Sequence, residues 1–123
     1  MNPCFYMIFQ FNSYQKGILA ELYVLLYYFI FERAVLLNWR FKTKVGEVDL
    51  ILKSKKVIIF VEVKYRKKGD FFDVVDEFSL KRIENAASLY IKTRSKYQSC
   101  RSRIDVCYVN NRLKLRQKRN IIC

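Results

Sequence analysis

Gly46-Glu47-Val48-Asp49-Leu50-Ile51-Leu52 runs through Lys53-Ser54-Lys55-Lys56 into Val57-Ile58-Ile59-Phe60-Val61-Glu62-Val63-Lys64, and the reading of this stretch decides the fold. Val, Ile, Leu and Phe dominate both arms and a polar tetrad divides them, which is the pattern of a β-hairpin. With residues 53–56 taken as a four-residue turn, Leu52 faces Val57, Asp49 faces Phe60 and Glu47 faces Glu62. Positions two apart share a sheet face, so Glu47, Asp49, Glu62 and Lys64 fall on one side. Like charges across a bare sheet repel, and three acids gathered there call for open water or a neutralising cation. Two readings follow. One is a metal-binding acid cluster; the other is a hairpin with one solvated face, in which Lys53, Lys55 and Lys56 are ordinary turn residues. Ile58 and Phe60 share the face of Glu62 and Lys64, so that face is apolar until the strand's end, and this abrupt change favours the cluster.

The chain has 123 residues, 52% of them hydrophobic, with only three Gly and one Pro, which excludes disorder and low complexity. Its length predicts one domain over residues 1–123 that buries about two thirds of its unfolded surface. Twenty-four Lys and Arg against 11 Asp and Glu leave a net charge of +13. A surplus of that size calls for a polyanionic partner: nucleic acid first, an anionic membrane surface second, ribosome-like structural binding third. Histidine is absent, which removes imidazole bases, serine-type triads and most zinc sites. Catalysis must therefore run on carboxylates and lysine. Cys4, Cys100, Cys107 and Cys123 form no C-x-x-C pair, as expected of reduced thiols in a cytoplasmic protein, with Cys107 filling the core of a strand.

Residues 22–31 are ten apolar residues in a row, bracketed by Glu21 and Glu32. A bilayer needs about 20, so no membrane span is expected. The segment reads as a buried helix, with a peripheral membrane helix as the alternative. That helix is expected over 13–33, capped by Ser13, with Ile18, Leu22, Leu25, Leu26 and Phe29 inward and Glu21 interrupting the stripe. A strand over 35–42 carries the only tryptophan, Trp39. After the hairpin comes a basic loop, Arg66-Lys67-Lys68-Gly69-Asp70, placed to touch a phosphate backbone beside the acids. A second helix is expected over 79–96, with Leu80, Ile83, Ala87, Tyr90 and Ile91 at helical spacing. A strand over 104–109, a turn at Asn110-Asn111, a last strand from Leu113 and a cationic run over 116–119 follow. The order α-β-β-β-α-β-β makes an α/β domain, a mixed central sheet flanked by helices.

Gly17-Ile18-Leu19-Ala20-Glu21, Asn38-Trp39-Arg40, Gly46-Glu47-Val48-Asp49-Leu50-Ile51, Phe60-Val61-Glu62-Val63-Lys64-Tyr65-Arg66 and Arg103-Ile104-Asp105-Val106 resemble, in order and spacing, the YraN-like family of small uncharacterised bacterial proteins. That family is similar to the PD-(D/E)XK nucleases of restriction-endonuclease-like fold and, in layout, to Holliday junction resolvases. The resemblance implies a metal-dependent endonuclease that hydrolyses phosphodiester bonds in DNA, branched or damaged forms included. A non-catalytic nucleic-acid-binding module of the same fold is the alternative. It further implies that Asp49 and Glu62 hold Mg²⁺ or Mn²⁺, with the Val63 carbonyl completing the coordination and Glu21 joining or supporting the cluster. Lys64 would orient the attacking water or stabilise developing charge. Arg40, Arg66, Lys67, Lys68 and Lys81 are the expected nucleic-acid contacts. DNA versus RNA, and the pairing of two copies into a homodimer, stay open.

Overall fold

The hairpin forms with a tighter turn than its polar tetrad suggests. The computed structural model describes residues 12–66 and 76–121. Strand β2 (Glu47–Ser54) pairs antiparallel with β3 (Val57–Arg66), Ser54 opposite Val57 and Leu50 opposite Val61. Only Lys55 and Lys56 turn the chain, and Lys55 takes a left-handed φ of 55°, as a two-residue hairpin requires. The expected register is therefore corrected by two residues. Because two is the period of a strand, the correction leaves every β3 side chain on its expected face.

Around this hairpin lie helix α1 (Ser13–Glu32), strand β1 (Val35–Lys42), helix α2 (Glu77–Lys92), a 3₁₀ turn (Ser95–Tyr97) and strands β4 (Arg101–Asn110) and β5 (Leu115–Lys118). The sheet order is β1-β2-β3-β4-β5, antiparallel except where β3 and β4 run parallel. That parallel pair needs a crossover, and α2 supplies it. The expected mixed sheet with flanking helices and its element order are thus present.

Alternation along β3 feeds two cores. Ile58 and Phe60 pack under α2 with Leu80, Ile83, Ala87 and Tyr90, while Ile59 and Val61 pack under α1 with Ala20, Val24 and Tyr28. Phe60 is wholly buried, and such a side chain contributes roughly 2–3 kcal/mol. Tyr90 centres the α2 side, edge-on to Phe41 and Phe60 and stacked with Tyr97.

Local readings change at both helices and at the last strand, which begins at Leu115 rather than at Leu113, whose φ of 57° belongs to the turn. Asn12, not Ser13, caps α1: its side chain accepts from the Gln15 N–H at 2.8 Å, and the Gln15 side chain returns the bond. The inward stripe of α1 is Ala20, Glu21, Val24 and Tyr28, whereas Leu22, Leu26 and Phe29 are exposed. A helix apolar on all sides carries no periodic signal, so contacts beyond the helix chose its face. Helix α2 begins earlier than Ser79, because Asp76 caps it through the Ser79 N–H at 2.7 Å, and it ends at Lys92. Cys107 is buried on β4 as expected; it and Cys100 are free thiols, and Cys4 and Cys123 lie outside the described residues. Among the described residues no helix is long and apolar enough to cross a membrane.

Candidate metal centre

The β2–β3 ladder runs from the turn to Leu50 and Val61, and the same register carries Asp49 opposite Glu62. There a side chain replaces the ladder: Asp49 Oδ2 accepts the Val63 N–H at 2.8 Å. The strand also changes sides here. Val48 packs under α2 but Leu50 and Leu52 pack under α1, so the side-chain period slips by one across Asp49. By alternation this parts Glu47 from the face of Glu62. The expected sharing of one face by all four residues is corrected to that extent, and Glu47 lies exposed at the strand's start.

Asp49 and Glu62 stand close together in half-buried positions, within reach of a hydrogen bond when one of them is protonated. Burial first, then the bond to Asp49 and its charge, push the Glu62 carboxyl up to about 9; the Lys64 ammonium opposes this and Glu47 adds to it. Two carboxyls in contact cannot both ionise cheaply, so the pair retains a proton at neutral pH. Lys64 follows on the same face of β3, and its charge is also felt by Asp76 at the start of α2. The site therefore sits where β2, β3 and the N-terminus of α2 meet.

Gly46 fixes that meeting. A β-carbon there would lie 1.8 Å from the Arg82 carbonyl oxygen, so only glycine lets α2 rest on the turn before β2. Thr43 closes the turn: its hydroxyl donates to the Gly46 carbonyl at 2.8 Å and accepts the Gly46 N–H at 3.1 Å.

The remaining expected residues separate. Glu21 is buried on α1, accepting from Trp39 Nε1 at 2.9 Å and from Arg40 Nε at 3.1 Å. Among the described residues no three acidic or thiol side chains converge on one point, so Glu21 does not join the Asp49–Glu62 pair. Arg40 is ion-paired, Lys81 is exposed on α2, and Arg66 ends β3 two residues beyond Lys64. Lys67 and Lys68 lie outside the described residues.

Sequence reasoning gave no role to a second polar centre under the C-terminus of α1. Asp105, wholly buried on β4, accepts from Tyr28 Oη at 2.6 Å, from Arg103 Nε at 3.1 Å and from the Asn120 N–H at 2.9 Å. Arg103 also bonds Glu32, and Gln117 Nε2 donates to Tyr28 Oη at 2.8 Å and Glu32 Oε2 at 3.0 Å. Burial alone would raise the Glu32 carboxyl, but the Arg103 and Gln117 bonds outweigh it and hold it low. The signal was present: Arg103 and Asp105, opposite in charge and two apart on a strand, face the same way. Every partner is internal, so this centre fastens α1 to β4 and the segment after it. A cleft of about 650 Å³ between α2 and β4, lined by Glu84, Lys92, Gln98 and Arg103 among others, lies apart from the acid pair.

These observations define a small α/β protein whose central hairpin holds two carboxyls in contact beside a lysine. The chain belongs to the uncharacterised protein family UPF0102, whose family model matches residues 27–109, a span that includes Asp49, Glu62 and Lys64 but not Glu21. It is 38% identical over 73 residues to a UPF0102 protein of Fusobacterium nucleatum, the match covering 57% of this chain and 60% of that protein. It is 38% identical over 76 residues to one of Vibrio vulnificus, covering 58% and 62%, and 34% identical over 68 residues to one of Francisella tularensis, covering 53% and 58%. The chain thus spans about three fifths of the length of the relatives it matches.

Proposed function

We propose that the protein is a metal-dependent phosphodiesterase of the PD-(D/E)XK type, with a restriction-endonuclease-like fold, acting on DNA. The observation that carries this reading is the Asp49–Glu62 contact at the point where β2 turns away from β3. Two carboxyls and the Val63 carbonyl are hard oxygen donors, which suit Mg²⁺ or Mn²⁺ better than softer metals. The proton that the pair retains occupies the place of positive charge that a bound cation would fill. Such an ion polarises a phosphate and lowers the pKa of a bound water. Asp49 and Glu62 would hold it, and Lys64 would sit against the scissile phosphate to offset developing charge. The net charge of +13 supports a polyanionic substrate.

The test is cleavage of nicked, flapped and four-way DNA by purified protein with Mg²⁺ or Mn²⁺. Lys64→Ala should abolish cutting and leave DNA binding largely intact; undiminished cutting by that variant overturns the mechanism. One observation favours a second reading, a non-catalytic nucleic-acid-binding module: Glu21, the third acid implied by resemblance, is engaged by Trp39 and Arg40. That reading expects binding that is salt-sensitive and indifferent to metal. Titration calorimetry with Mg²⁺ separates the two, since only the first gives a heat that Asp49→Asn removes.

A further inference from the structure

Trp39 and Arg40 are neighbours on an edge strand, where alternation would send their side chains to opposite faces. Both instead reach Glu21, with Trp39 Nε1 at 2.9 Å and Arg40 Nε at 3.1 Å. The backbone makes this reach by holding Arg40 in the left-handed region at φ 54°, which a non-glycine residue adopts only under constraint. The result is a guanidinium set between two rings. The Arg40 guanidinium lies 4.9 Å from the Trp39 ring centre and 5.3 Å from that of Tyr14 on α1. Glu21, 7% exposed, accepts from Trp39 and Arg40 and holds those two in place.

A clamp built only to hold α1 against β1 would bury its rings, since burial is what an aromatic side chain contributes to stability. These rings face solvent: Trp39 is 47% exposed and Tyr14 65%. Trp39 pairs with Leu50 and Phe41 with Val48, so the Arg40 backbone lies across from Asp49, while the Trp39 and Arg40 side chains turn to the α1 face of the sheet and Glu62 and Lys64 follow the α2 face. Exposed aromatics beside a guanidinium, in a strongly cationic chain, are what single-stranded nucleic acid stacks upon. A base inside a duplex has both faces covered and cannot use such a surface; an unpaired base can.

We propose that Tyr14, Trp39 and Arg40 form a stacking platform for an unpaired nucleobase, so that the protein takes nucleic acid with a single-stranded segment. The stacking is read without cleavage and does not depend on the phosphodiesterase reading of Asp49 and Glu62. Trp39 is the only tryptophan in the chain, so its emission reports the platform directly. The full chain, in chelator, is titrated with an oligothymidine single strand and with a blunt duplex of equal length, following tryptophan emission and the anisotropy of labelled nucleic acid. The single strand should quench emission and the duplex should bind without quenching. Trp39→Leu should weaken single-strand binding about tenfold and duplex binding less than about twofold, with Trp39→Phe recovering most of the loss. Tyr14→Leu, which leaves the Glu21 bonds to Trp39 and Arg40 in place, should weaken single-strand binding in the same sense.

Single-strand binding with unchanged emission, or equal loss for both substrates in the two leucine variants, overturns the platform. Quenching without any metal-dependent cutting upholds the platform and overturns the nuclease. Cutting without quenching does the reverse.

Discussion

Replacing Glu62 by glutamine should stabilise the metal-free protein, and increasingly so as pH rises. In the fold this carboxyl keeps its proton up to about 9, whereas its ordinary value is 4.5. The folded state therefore binds more protons than the unfolded chain throughout that window. Stability is greatest below 4.5, falls as pH rises towards about 9 and levels off beyond. Each pH unit inside the window costs up to about 1.4 kcal/mol, which reaches roughly 3 kcal/mol near pH 7 and about 2 once partial solvation of the side chain is discounted. Glutamine keeps the shape and can donate to Asp49, but it titrates nothing. Urea denaturation in chelator, for the natural protein and Glu62→Gln, should show little difference near pH 5, about 2 kcal/mol in favour of the variant near pH 7, and more near pH 8.5. A difference that does not change with pH, or a variant weaker than the natural protein under alkaline conditions, refutes the view that burial and Asp49 keep Glu62 protonated.

Binding of Mg²⁺ near pH 7 should release about one proton per ion, read as a buffer-dependent heat in calorimetry, because the ion displaces the proton held by the acid pair. Its affinity should climb with pH and flatten near the value of about 9 where Glu62 ionises unaided. Gly46→Ala should lower stability by about 2–4 kcal/mol in chemical denaturation, since its β-carbon meets backbone that cannot yield. Tyr28→Phe should cost about 1–3 kcal/mol in the same assay, because the buried Asp105 loses its 2.6 Å donor and Gln117 loses an acceptor.

The parts of the fold legible in the sequence are those with short periods. Residues 35–42 and the hairpin alternate or run apolar between turns, and Leu80, Ile83, Ala87 and Tyr90 repeat at helical spacing, so β1, β2, β3 and α2 were readable. Helix α1 was readable as a helix but not as an oriented one, because with Leu, Tyr, Phe and Ile on every side no stripe stands out. What oriented it was distant: Tyr28 reaching Asp105 and Glu21 reaching Trp39. For the candidate site, the closeness of Asp49 and Glu62 followed from strand parity and survived a misjudged turn, since an error of two residues preserves faces. The side-chain slip at Asp49 and the separate engagement of Glu21 were invisible. Both arise from irregular backbone near Leu36, Arg40 and Asp49, and single bulges leave no periodic trace.

The parallel contact between β3 and β4 gives the folding reaction a late step. Val57 meets Arg101 only after the intervening chain closes into a loop, at greater entropic cost than the tight turns joining β1, β2 and β3. Loop-closure entropy therefore predicts that the three-strand meander assembles ahead of β4, with Asp49 and Glu62 still facing water. Docking of β4 sets Val106 beside Glu62, and burial of the carboxyl on this face should be accompanied by proton uptake. Alkaline refolding without metal should therefore slow that docking, and a chain delayed there would leave the β3 edge, Val57-Ile58-Ile59-Phe60-Val61, bare, a template for aggregation.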